Sequence, residues 1–215
     1  MVTEFIHVEP ADIEATSMAI IESELPHALD PALAPVIKRV IHTTADFDYA
    51  DTLVFSPGVV PCALDALRAG ATIVTDTMMG QAGINKAALA ALGCSTRCYM
   101  ADAETASLAA AQGTTRAVVS MERAVDLPAP LIFAIGNAPT ALIRLHQLIG
   151  DGQLHPALIV GVPVGFVNVV PAKELIMTAG VPYIVNRGRK GGSNVAAAIM
   201  NALLYQITDA HPSES

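Results

Sequence analysis

The feature that most constrains this chain is the alternation of short β-branched runs with longer Ala-rich segments that sets in after Asp48. Strand signals at Thr52–Phe55, Ala71–Thr75, Ser95–Met100, Leu131–Ile135, Ala157–Val162 and Tyr183–Asn186 alternate with helical ones. The helical segments are Pro57–Ala69, Gln81–Leu92, Ala103–Gln112 with Arg116–Ala124, Ala138–Gly150, Pro171–Ala179 and Val195–Leu204. Strands that take turns with helices are joined by crossovers and lie parallel, so the expected class is α/β: three layers, α/β/α, with a mainly parallel central sheet. A composition that is 53% hydrophobic and only 15% charged agrees, because such strands are covered on both faces.

Two helices are predicted ahead of this pattern and are expected to pack beside the sheet. Residues 10–25 carry Pro10 in the first turn and Asp12 and Glu14 near its positive end, and Pro26 stops the segment. The second runs from Pro31 to His42, with Lys38, Arg39 and His42 near the C-terminus, where the helix dipole favours cations. A chain of 215 residues suits a single domain, expected over residues 1–206, with a polar, frayed tail at 207–215.

Several function classes are disfavoured. No apolar run reaches the roughly 18 residues of a membrane span, and the first residues show no basic segment leading into an apolar one, so a cytoplasmic protein without a membrane partner is expected. Twelve scattered basic residues against a net charge of −8 argue against nucleic acid. Cys62, Cys94 and Cys98 form neither a C-x-x-C pair nor an even set, and no two histidines have metal-ligand spacing, so no protein-bound metal is expected. The P-loop, the G-x-G-x-x-G turn and the G-x-S-x-G elbow are all missing.

In a parallel sheet, ligands bind at the carboxyl ends of the strands. The loops expected there are Ser56–Gly58, Asp76–Gly80, Ala101–Ala103, Gly136–Ala141, Gly161–Asn168 and Asn186–Asn194. The last puts Arg187, Arg189 and Lys190 among three glycines just before a helix, which reads either as an anion site or as a solvated basic turn. Asn137 sits in GNAPTA, a competent strand-to-helix turn that could also present an amide to a ligand. His42, in RVIHTTADFDYAD, is as compatible with a helix cap as with proton transfer. Among the acids, Asp46, Asp48 and Asp51 bunch behind it and Asp76 and Asp102 end strands; all five could orient the imidazole or simply be solvated.

The segments SMAII, KRVIHTTADF, VFSPG, GTTRA, AIGNAPTAL, GVPVGFVN and RGRKGGSNVAAAIMNAL, in this order, resemble the precorrin isomerase family, the precorrin-8X or cobalt-precorrin-8 methylmutases. The resemblance runs over nearly the whole chain. It implies an intramolecular shift of a methyl group from C11 to C12 of a corrin precursor, giving hydrogenobyrinic or cobyrinic acid in cobalamin biosynthesis. It implies no cofactor, although the substrate itself can carry cobalt, and TTADF after the histidine is closer to the cobalt-using relatives. His42 falls on the family's catalytic histidine, a proton donor and acceptor suited to neutral pH by histidine's ordinary pKa of about 6.5. Arg39, Ser17 and Arg116 match substrate-associated positions. Arg187, Arg189 and Lys190 become partners for the ring's carboxylates, and Asn137, Val164 and Gly165 would line the ring. The family's members are homodimers with the site near the subunit interface. A non-catalytic tetrapyrrole carrier and an isomerase of small phosphorylated substrates are the competing readings of the same residues.

Overall fold

In the computed structural model, which describes residues 7–208, six strands form one sheet in the order β1-β6-β5-β4-β2-β3. The strands are β1 Leu53–Phe55, β2 Thr72–Thr75, β3 Ser95–Arg97, β4 Leu131–Ile135, β5 Leu158–Gly161 and β6 Tyr183–Asn186. The helices are α1 Ile13–Glu24, α2 Ala34–Thr44, α3 Tyr49–Thr52, α4 Val59–Arg68, α5 Met78–Gly83, α6 Lys86–Ala91, α7 Ala103–Gln112, α8 Arg116–Arg123, α9 Pro139–Gly150, α10 Val169–Ile176 and α11 Ser193–Tyr205. None of them is long and apolar enough to cross a membrane.

Side-chain alternation along the strands builds a core on each face of the sheet. In β4, Ile132 and Ala134 pack with α2, α4, α6 and α11, while Leu131, Phe133 and Ile135 pack with α8, α9 and α10. The three layers and the mainly parallel sheet are therefore present. The N-terminal helices stack outward: α2 buries Val36, Ile37, Val40 and Ile41 in the layer that holds α11, and α1 lies outside it with Ile21 buried.

The strand order reverses between β2 and β4, since β2 leads to β3 on one side and β4 leads to β5 on the other. That reversal opens a crevice at the strands' carboxyl ends. One edge departs from the parallel pattern: β1 runs antiparallel to β6, with Leu53 opposite Asn186 and Phe55 opposite Ile184. This corrects the placement of Ser56–Gly58, which leaves β1 at the opposite end of the sheet, where the Tyr183 N–H donates to Ser56 Oγ at 2.9 Å. The same reversal brings the turn between α2 and β1 to the carboxyl ends instead.

Several element boundaries also differ from expectation, two of them for a reason visible in the contacts. The helix expected at Gln81–Leu92 is two helices: Asn85 caps α6 by accepting from the Ala88 N–H, and Asn201 of α11 bridges the break by bonding Asn85 N and Gly83 O. The strand expected at Ser95–Met100 ends at Arg97, because β3 is an edge strand paired with β2 alone over three residues. Of the expected C-terminal tail, Ile207 packs on the core and Thr208 bonds to Leu204 O, whereas 209–215 lie outside the described residues.

Candidate active site

At the crevice between β2 and β4, the turns that follow the two strands are held by one buried carboxylate. Asp76, 1% exposed, accepts from the N–H groups of Gly136, Asn137 and Ala138 at 2.9, 2.8 and 2.6 Å. Burial pushes its carboxyl up, while the three N–H bonds pull it down. Sequence left Asp76 undecided between two minor roles; the structure makes it the group that fixes the Asn137 turn. It fills the place where doubly wound folds commonly seat a ligand phosphate, so a phosphate there would meet a carboxylate. Gly136 is required by close approach, since a Cβ on it would lie 2.6 Å from Ser193 Cα. Across this contact Thr77 and Ser193 share a hydroxyl hydrogen bond of 2.7 Å.

A cleft of about 460 Å³ opens above, lined by Thr77, Met79, Gly136, Asn137, Val164 and residues 191–194. Around it are exposed apolar side chains: Met79 at 70%, Phe166 at 82% and Val167 at 79% exposure. Of the residues expected to line a ring, Asn137 and Val164 do line this cleft, and the Gly165 N–H donates to Arg189 O at 3.2 Å. Arg189 lies over the Phe166 ring, 5.4 Å from its centroid.

The other two cations of the basic turn are engaged. Arg187 pairs with Glu174, and Lys190 with both Asp46 and Asp48 at 2.6 Å. Those acids therefore tie the 190 turn to the end of α2 and do not orient the imidazole; the Lys190 ammonium holds the Asp46 carboxyl below its ordinary value. Beneath the turn sits Lys173, with no exposed surface, donating to Gly188 O at 2.9 Å and Lys190 O at 2.8 Å. Burial lowers its pKa to about 8. Sequence reasoning passed over Lys173; the one signal was an adjacent pair of charges, Lys173 and Glu174, in the otherwise apolar helical stretch VVPAKELIM.

His42 stands exposed on the last turn of α2, which Ala45 ends in a left-handed conformation at φ 53°. No hydrogen bond to its ring exists among the described residues, so neither nitrogen is committed to the protein's own structure. Its neighbour Thr43 and Arg39, one turn back, line a groove of about 300 Å³ against α11, and Asn194 is shared between this groove and the cleft. Arg39 is paired with Glu14 of α1 and lies over the Tyr205 ring at 5.2 Å. Ser17 lies on α1, where its hydroxyl donates to Ile13 O of the same helix at 2.8 Å. Arg116 is exposed at the start of α8, placed at the carboxyl ends by the 3.1 Å contact of Thr115 with Thr140, but in the layer opposite α2.

The model of the precorrin-8X methylmutase (CbiC) family matches residues 12–206. The chain belongs to that family. A cobalt-precorrin-8 methylmutase of Priestia megaterium is 41% identical over 204 residues, 94% of this chain and 91% of that protein. Another, from Salmonella typhimurium, is 43% identical over 211 residues, covering 94% and 98%. Among solved structures, a precorrin-8X methylmutase from Thermus thermophilus superposes with a TM-score of 0.83 at 40% identity, covering 90% of this chain and 96% of that one. For a methylmutase the arrangement is chemically apt: a broad apolar surface with backbone and cationic donors at its rim suits a flat ring edged with acids, and an uncommitted imidazole can carry a proton.

Proposed function

We propose that the protein is an isomerase of corrin biosynthesis that moves a methyl group from C11 to C12 of a precorrin-8 ring, with His42 as the acid that protonates the ring system. The observation that carries this reading is the position of His42: exposed, unbonded among the described residues, and brought to the carboxyl ends of the sheet by the antiparallel β1. Protonation withdraws electrons from the conjugated system, so the methyl group can migrate with its bonding pair; the same imidazole recovers the proton as the double bonds settle. Atoms balance within the substrate, and the histidine ends as it began.

Cobalt-precorrin-8 is the proposed form of the substrate, supported by the names of the two relatives above and by the TTADF segment. The metal travels with the substrate. Arg39, Ser17 and Arg116 contribute to substrate binding, Arg39 by exchanging Glu14 for a ring carboxylate. Arg116 and His42 lie in opposite layers of one protomer, and the Met79, Phe166 and Val167 surface is open. A homodimer that completes each site with the partner's residues accounts for both. Incubating the purified protein with cobalt-precorrin-8 and with the metal-free ring tests the assignment: conversion to cobyrinic acid, faster than the metal-free reaction, is expected, and no conversion of either ring would overturn it.

A further inference from the structure

Arg39 stands where two grooves meet. On one side is a groove of about 450 Å³ beneath α1, walled by Glu14, Met18, Ala202 and Tyr205. On the other is the groove of about 300 Å³ that runs past Thr43 to Asn194 and so to the cleft. Arg39 and Tyr205 line both. Arg39 precedes His42 by three residues of α2, about 4.5 Å along the helix axis, so the second groove is the one beside the histidine.

The guanidinium is held toward the first groove. Its Nη2 donates to Glu14 Oε1, and with side chains only 13% and 21% exposed the pair is largely out of water. Among the described residues, Glu14 is the one acid paired with Arg39, while the neighbouring Lys38 is a second cation with its own partner, Glu22. An arginine this far from water is costly to leave unpaired, so Glu14 is what lets it rest there. Glu14 itself is loosely anchored. Its helix buries only Ile21 and leaves Ile13 and Ile20 exposed, and the space beneath it is a groove and not a packed contact. The guanidinium also lies over the Tyr205 ring, 5.2 Å from its centroid.

We infer that Glu14 is an internal competitor of the substrate: it holds Arg39 until a ring carboxylate displaces it. The inference rests on the ring substrate proposed above and gives that site an affinity-setting residue. As Arg39 swings from Glu14 toward Thr43 it stays within reach of the Tyr205 ring, which lines both grooves, and its charge is paired before and after. Glu14 turns to water with little loss of packing. The gain from the ring carboxylate is offset by the lost Glu14 pair, so the polyacid binds less tightly than the cations alone allow, and the returning Glu14 helps expel the product. Glu14 acts through Arg39 without touching the ring, which makes it a positioning residue.

Glu14→Gln removes the charge and keeps a side chain of the same shape that still accepts from Arg39. Calorimetric titration with hydrogenobyrinic acid at fixed ionic strength reads the result. Glu14→Gln should bind about tenfold more tightly than the wild type, since a charged competitor is exchanged for a neutral one. Glu22→Gln makes the same change of net charge on the same helix but concerns Lys38, and should alter affinity less than about twofold. In an Arg39→Met background, Glu14→Gln should likewise change affinity less than about twofold. A Glu14→Gln protein that binds no more tightly than the wild type, or that tightens as much when residue 39 carries no charge, would overturn the inference and leave the ring reading standing. Failure of Glu14→Gln to fold would overturn it too, because α1 is then no loosely held helix. Absence of binding by the wild type would remove the ring reading and the inference with it.

Discussion

At the scale of the residue, the chain places its two most constrained charges where a motif search does not look. Lys173 is lysine because two loop carbonyls, Gly188 O and Lys190 O, turn inward to its ammonium; an apolar side chain would leave Gly188 O unpaired, at a cost of about 1–3 kcal/mol, and Lys190 O with Asn186 alone. Holding an ammonium there has a consequence for stability. The unfolded chain keeps this lysine protonated to pH 10.5, but the folded protein only to about 8. Between those values the unfolded state binds more protons, so stability should rise with pH, by about 3 kcal/mol across the window. Urea denaturation at pH 7.5, 9 and 10 would show it, as a rise in the wild type that Lys173→Met lacks; parallel curves would contradict it. His42, Asn137 and Val164 were legible in the sequence because they lie in segments with a recognisable pattern. Asp76 and Lys173 were not, since burial and partners across 60 and 15 residues decide what they do, and neither is written locally.

At the scale of the element, the β4 turn and the start of α11 are locked by closeness of backbone. Gly136→Ala would drive a methyl group into Ser193 and Gly192, both backbone contacts that cannot rotate away. Overpacking of this kind costs about 3 kcal/mol, so the variant should unfold at lower denaturant and lose the Thr77–Ser193 bond that closes the cleft floor. Equal denaturation midpoints would show that the two turns separate easily. The sequence located β4 and β6 to the residue because buried central strands are continuous apolar runs between turn residues. It could not reveal that β1 is antiparallel: three residues of apolar sequence have the same pattern in either direction, and only pairing with β6 fixes the choice. The split of α5 from α6 was hidden because Gly83 and Asn85 lie between the helix formers Gln81 and Ala82 and the Ala-rich run of 86–91.

At the scale of the whole molecule, α2 sits over α11, and the antiparallel edge strand carries the end of α2 to the side where the parallel strands finish. The apolar surface of Met79, Phe166 and Val167 is wider than a single cleft requires. If a second copy covers it, sedimentation velocity should give twice the 22.3 kDa chain mass, and Val167→Asp should shift the protein toward the monomer with loss of turnover; a fully active monomer would contradict the shared site. The most direct test of the account is the visible spectrum of cobalt-precorrin-8 mixed with His42→Ala beside the wild type. The account predicts that the variant binds the ring but leaves its spectrum that of the unrearranged precursor, while the wild type converts it to the spectrum of the rearranged acid. Conversion by His42→Ala at the wild-type rate would contradict it.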